Sequence, residues 1–215
     1  MKDLIKLYQL YKLKEAGEEF VDDMVKSEVY IPKKLKELRE VCKNCTLCDL
    51  HKTRKNVVCG EGNVNSRLMF VGEAPGQMED ISARPFVGRA GKLLREIVFK
   101  EFNKDLSNFF VSNVVKCRPP FNRVPTIEEA QTCKPYLLKE IEIVNPDVIV
   151  CLGKTATLYL LGENDSMSRL RGKVFELDKR KVVPTYHPSF LLRNPTMKPY
   201  FVNDLKKVKR LLWEK

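Results

Sequence analysis

Four short apolar runs rich in β-branched residues recur along the chain, at 68–71, 109–115, 148–152 and 181–184. Each predicts a strand. Longer stretches with helical spacing separate or follow them, at 90–102, 127–144, 155–161 and 199–213. The alternation predicts the α/β class: a three-layer α/β/α sandwich around a central, mainly parallel four-stranded sheet, with right-handed crossovers. Ahead of it, Leu4, Leu7, Tyr8 and Tyr11 fall on one helical face, and Phe20, Met24 and Val25 recur in a second segment. A third starts at Pro32 and runs through Leu35 and Leu38. Residues 1–40 are therefore expected to be a helical N-terminal extension, and 41–215 one α/β domain with no linker dividing it.

Each predicted strand ends in a polar, unusual sequence. The first delivers Gly72-Glu73, the second Asn113 and then Lys116-Cys117-Arg118-Pro119-Pro120, the third Gly153-Lys154-Thr155, and the fourth Tyr186-His187-Pro188-Ser189. In open α/β sheets the ligand crevice lies at the carboxyl ends of the strands, so these four ends are expected to build one pocket. The loop after the first strand, Gly72 to Asp80, is rich in glycine and carboxylate, and small residues there let the backbone approach a flat ligand.

Charge adds a partner. The chain of 215 residues carries a formal charge of +11 and a pI near 9.3, which suits a polyanion. Charged residues make up 31% of it and glutamine is scarce, a composition that leans towards a thermophile. Lysines and an aspartate interrupt the first apolar residues, and no window approaches a membrane span. A cytoplasmic, nucleoid-associated protein with no membrane partner is expected.

Seven cysteines in a reducing compartment point to metal ligation or buried thiols. Cys42, Cys45 and Cys48 form C-x2-C-x2-C, with Cys117 and Cys133 far away. Two near and two distant thiolates make a four-thiolate site suited to a 4Fe-4S cluster or structural zinc. Cys42 ends a helical segment and is a candidate bystander; a rival grouping is a local zinc knuckle of Cys42, Cys45, Cys48 and His51. Cys59 and Cys151 lie in or beside strand-like runs and read as inert buried thiols.

Gly153-Lys154-Thr155 is not a phosphate loop, because Val148 stands where the earlier glycine is required. Lys154 at a helix N-terminus is still placed to hold a DNA phosphate. His187, one of two histidines, sits at the sheet edge, where it could donate to a developing anion. After it, Ser189 to Pro195 mixes apolar and basic residues, a composition that suits wedging a duplex with Leu191 and holding phosphate with Arg193.

Taken in order, G-E-A-P-G-x-x-E-D, R-P-F-V-G-R-A-G, S-N-x-x-K-C-R-P-P-x-N-R and H-P-S-x-L-L-R-N-P, with the cysteines, resemble the iron–sulfur, family 4 class of uracil-DNA glycosylases over roughly residues 45–213. The resemblance selects Cys45, Cys48, Cys117 and Cys133 as ligands of a 4Fe-4S cluster. It implies that Gly72, Glu73 and Ala74 offer backbone contacts to uracil, Phe86 stacks on it, Asn113 pairs with its amide edge and His187 faces its O2. Glu79 and Asn122 match positions linked to catalysis. Two features depart from the family: Ala83 replaces its usual glycine, and residues 1–40 exceed what many relatives carry. The basic, histidine-containing insert of the related class that traps its product is absent between Gly91 and Asn103, so hydrolysis is expected.

The implied reaction is excision of flipped-out uracil from single- or double-stranded DNA, leaving an abasic site for base excision repair. Asn113 would read N3–H and O4, rejecting cytosine, and Glu73 or Glu79 would orient water. Ala74 stands where the best-known uracil class has an aspartate, so catalysis should lean on leaving-group stabilisation. The cluster would fold loops rather than move electrons. A monomer is expected, and a sliding clamp is a further candidate partner that no motif identifies. The alternative, a non-catalytic iron–sulfur DNA-binding or redox-sensing protein, has no use for the convergence of Glu73, Phe86, Asn113 and His187. A zinc deaminase would need H-x-E with P-C-x-x-C, which the chain lacks.

Overall fold

A computed structural model describes residues 32–213. The helical pattern expected before residue 32 lies outside them. Among the described residues the strands are β1 (Glu61–Gly62), β2 (Leu68–Gly72), β3 (Phe110–Asn113), β4 (Val148–Leu152), β5 (Phe175–Leu177) and β6 (Arg180–Thr185), in one sheet of order β1-β3-β2-β4-β6-β5. The four expected strands are the inner four, all parallel. The four-stranded expectation is corrected by two antiparallel edge strands, β1 and β5. With two and three residues, neither is long enough to write a pattern into the sequence. The second strand also ends earlier than expected, at Asn113, but the chain stays stitched to the sheet: Val114 N and Val115 N donate to the carbonyls of Gly72 (2.9 Å) and Glu73 (3.1 Å).

The helices are α1 (Leu35–Lys43), α2 (Gln77–Ser82), α3 (Arg89–Phe102), α4 (Ile127–Val144), α5 (Lys154–Leu161), α6 (Met167–Leu170), α7 (Pro188–Arg193) and α8 (Lys198–Trp213). Alternate residues of the inner strands feed two cores. Met69, Val71, Ile149 and Cys151 pack with Leu38 of α1, Leu137 and Ile141 of α4 and Ala156 of α5. Leu68, Phe70, Val148 and Val150 pack with Leu94 and Val98 of α3, Leu191 of α7 and Phe201 and Leu205 of α8. This is the expected three-layer sandwich, its strands buried on both faces as parallel strands require. No helix of the described residues is long and apolar enough to cross a membrane.

Helix α4 starts with a capping box, Thr126 Oγ1 taking the Glu129 N–H and Glu129 returning a carboxylate to Thr126 N. Farther along it, the buried carboxylate of Glu140 gathers three segments. Lys116 Nζ donates to Glu140 Oε2 (2.7 Å), to Ser112 Oγ (2.6 Å) and to the Asn113 carbonyl (2.8 Å). Ser112 Oγ donates to Glu140 Oε2 (2.5 Å), and Gly60 N donates to Glu140 Oε1 (2.7 Å). Every donor of the ammonium is used, in a site that excludes water. Removing one charge of such a pair strands the other in the core, so Glu140→Gln should lower stability by ~3–5 kcal/mol in denaturant unfolding. An unchanged unfolding midpoint would show that the pair does not hold the sheet edge.

Candidate active site

The parallel register brings Gly72 beside Asn113 and Leu152 beside Thr185, so the inner strands end level with one another. A pocket of about 650 Å³ opens there, within the range of small-molecule sites. Every inner strand end contributes to it: Glu73 and Ala74 after β2, Asn113 from β3, Gly153 and Lys154 after β4, and His187 after β6. Phe86 enters from the loop between α2 and α3, its backbone in the left-handed region at φ 54°.

Close approach explains the glycine at the pocket floor. A Cβ on Gly72 would lie 2.5 Å from Asn113 Oδ1 and 2.7 Å from Phe86 Cζ, so only a bare backbone lets the buried amide and the ring meet there. Gly153 has φ 93°, and a Cβ on it would sit 2.9 Å from His187 Cβ. Phe86 and His187 face each other at 6.5 Å between ring centroids, tilted by 34°. A planar group bounded by an aromatic ring, an amide edge and an imidazole is what this space can hold.

The carboxylates are held differently. Thr155 Oγ1, at the start of α5, donates to Glu73 Oε2, fixing that carboxylate at the mouth of β2. Sequence spacing does not reveal this hydroxyl, which reaches Glu73 across 82 positions of the chain. Glu79 lines the pocket, but its Oε1 accepts from Gly88 N (2.8 Å) and so clamps the loop that carries Phe86. Asn122 is exposed on the pocket wall, its Oδ1 taking Arg118 Nε at 2.8 Å. Lys154 and Arg193 stand exposed along the same wall, where a phosphate could reach them. Leu191 requires a correction: it is 0% exposed, packed in the core beneath α7, and cannot enter a base stack from there. The helical turn instead presents Leu192 to solvent.

His187 caps α7. Its Nδ1 accepts from Ser189 N at 3.1 Å and lies 2.7 Å from Ser189 Oγ. A backbone N–H can only donate, so Nδ1 is bare and the ring proton sits on Nε2. Burial, with Arg193 adding to it, lowers the imidazole from its usual 6.5 to about 4. The ring is therefore a neutral N–H donor at neutral pH.

Residues 59–212 match the uracil DNA glycosylase superfamily. The type-4 uracil-DNA glycosylase of Thermotoga maritima is 47% identical over 189 residues, 86% of this chain and 98% of that protein. Those of Archaeoglobus fulgidus and Sulfurisphaera tokodaii are each 42% identical, covering 83% and 82% of this chain and 92% and 84% of their own lengths. The chain belongs to the uracil-DNA glycosylase superfamily. Its departure at Ala83 is absorbed in place, since Ala83 adopts the left-handed conformation (φ 56°) that ends α2, at a cost on the order of 1 kcal/mol.

Cys45, Cys48, Cys117 and Cys133 border a second cavity. Arg54 Nη1 donates to Cys117 Sγ (3.1 Å) and Lys116 N to Cys133 Sγ (3.3 Å). Burial pushes the Cys117 thiol up to about 11 against the pull of Arg54. The Tyr136 hydroxyl is buried on the wall of this cavity, next to the Cys45 thiol. Among the described residues no three His, Cys, Asp or Glu side chains are close enough to hold a single metal ion. Cys42 also borders the cavity, but its thiol meets that of Cys59, while His51 Nδ1 lies 2.8 Å from the Cys48 carbonyl. Cys151 is fully buried, as expected, and Cys59 only half-buried.

The histidine geometry makes a direct prediction. The unfolded chain takes up a proton below pH 6.5 and the folded one only near 4. His187 thus contributes stability that is complete above 6.5 and is lost as pH falls from 6.5 towards 4. With only two histidines in the chain, 15N NMR should show His187 as the Nε2–H tautomer at pH 7, titrating near 4. A midpoint near 6.5 would contradict the buried donor.

Proposed function

We propose that this protein excises uracil from single- and double-stranded DNA by hydrolysis, leaving an abasic site. The observation that carries the reading is the pairing of a buried, uncrowded Asn113 amide with a neutral His187 N–H donor across the Phe86 ring, at the edge of a strongly basic chain. A uracil turned out of the helix stacks on Phe86. Asn113 accepts from its N3–H and donates to its O4, an order that cytosine reverses. As the C1′–N1 bond breaks, its electron pair moves onto the base, and His187 Nε2–H donates to O2 where the charge gathers. Glu73, oriented by Thr155, positions the water that adds to C1′ and offsets the positive sugar. Ala74 places no carboxylate beside Glu73, so the leaving-group side carries much of the acceleration.

The cysteine site fits a 4Fe-4S cluster held by Cys45, Cys48, Cys117 and Cys133. Four thiols share a cavity with two N–H donors to sulfur, and the buried Tyr136 hydroxyl sits beside the Cys45 thiol, where it can donate to sulfur. The zinc knuckle is disfavoured because the Cys42 thiol meets Cys59 and His51 Nδ1 is turned to the Cys48 carbonyl. Bound there, the cluster would cross-link the segment after α1, the loop after β3 and helix α4, with no part in bond cleavage.

The test of function is simple. Uracil-containing duplex incubated with the protein should break at the uracil position on alkali treatment, while the matching thymine duplex stays whole; an intact uracil strand would contradict the proposal. His187→Ala should slow single-turnover excision by about 100-fold, the loss expected for one donor to a developing anion. For the cluster, anaerobically purified protein should be brown with about four irons per chain. Cys48→Ala should lose the colour and Cys42→Ala keep it. A colourless protein with one zinc per chain would refute the assignment.

A further inference from the structure

The loop after Cys117 carries a side chain that neither the fold nor the excision chemistry uses. Phe121 is 97% exposed, more than any other large apolar side chain of the described residues. Its backbone is left-handed (φ 56°), as is that of Asn122 (φ 57°), a conformation that bulky residues avoid. The loop is not slack. Pro119 and Pro120 stiffen it, Asn122 N and Arg123 N donate to their carbonyls at 3.1 Å, Arg118 binds the Asn122 amide, and Arg123 forms a bidentate pair with Glu129 at 2.6 and 2.8 Å. A rigid turn thus holds an aromatic ring out in water. Backbone strain without burial is the signature of a side chain placed for a ligand.

Its position names the ligand. Asn122, next to Phe121, and Pro119, two residues before it, line the pocket, so the ring stands at its rim. Arg118 and Arg123 flank it in the chain, and the exposed Lys154 and Arg193 line the same pocket. Flat apolar surface beside cationic side chains suits a nucleic-acid strand, whose bases offer faces and whose phosphates offer charge. Turning a nucleotide out of the stack also bares the face of its neighbour. With Leu191 sealed in the core and Phe190 already stacked on Tyr186, Phe121 is an aromatic side chain free to cover that face.

We propose that Phe121 stacks on the base adjoining the extruded uracil. This rests on the uracil-excision reading above, and the experiment separates the two. Wild-type protein is first shown to cut a uracil oligonucleotide. Binding is then measured with 2′-fluoro-deoxyuridine in place of the target, which resists excision, and with 2-aminopurine as its 5′ or its 3′ neighbour. At one flank the wild-type complex should keep the 2-aminopurine dark, because an aromatic ring stacks on it. Phe121→Gly should make that flank brighten severalfold and weaken binding by ~5- to 100-fold, the span of base–aromatic stacking. Phe121→Trp should restore both. Phe121→Gly should melt no lower than wild type, since glycine relieves the left-handed backbone. Unchanged affinity and unchanged fluorescence at both flanks, in a protein that excises uracil, would overturn the stacking role alone. Failure of the wild type to cut uracil DNA would overturn the reading beneath it.

Discussion

The buried carboxylate of Glu140 is the point on which the site depends. It holds Lys116 in the core, and Lys116 in turn holds Ser112 and the carbonyl of Asn113, so the end of β3 is tied to α4. The same carboxylate anchors Gly60 ahead of β1. Cys117 follows Lys116 directly, and Cys133 lies two turns before Glu140 on the same helix. One ion pair therefore sets both the amide that would read a base and two of the thiols that would hold a cluster. An apolar pair of equal volume could be as stable, but it would not dictate where the Asn113 carbonyl points. Its value is in position.

From that anchor the pocket follows by register. Parallel pairing sets Gly72 against Asn113, and the missing Cβ lets the Phe86 ring close over both. Glu79 locks the loop that carries Phe86, and Thr155 locks Glu73. His187 is fixed by the Ser189 N–H and desolvated into its neutral form. These restraints spare the side chains rearrangement when charge develops, which is what makes a preorganised donor effective. In the proposed mechanism, electrostatic help would concentrate on the departing base rather than on the attacking water, in keeping with alanine at position 74.

The inner strands were legible because each is a continuous apolar run buried on both faces. β1 and β5 were not, since two or three residues carry no period. That His187, Asn113, Phe86 and Glu73 share one pocket could be read from strand ends and motif order. The Thr155 hydroxyl and the Glu79 clamp could not, because both act across long gaps in sequence or through a backbone N–H. Leu191 and Leu192 show the same limit: a loop composition that suits DNA contact does not say which of two adjacent leucines a short helix turns inward. Phe121 sat at an unspecified position of a recognised motif, and only its exposure and left-handed backbone distinguish it.

The central claim is that the Asn113 amide recognises uracil at the end of β3. Single-turnover excision by Asn113→Asp, with uracil in the same duplex and enzyme in excess, tests it most directly. A carboxylate keeps an acceptor for N3–H but loses the donor to O4, and a buried group left unpaired costs ~1–3 kcal/mol or more. The rate should fall at least ~5-fold below wild type in a protein that melts normally. An Asn113→Asp protein that excises uracil as fast as wild type would contradict it.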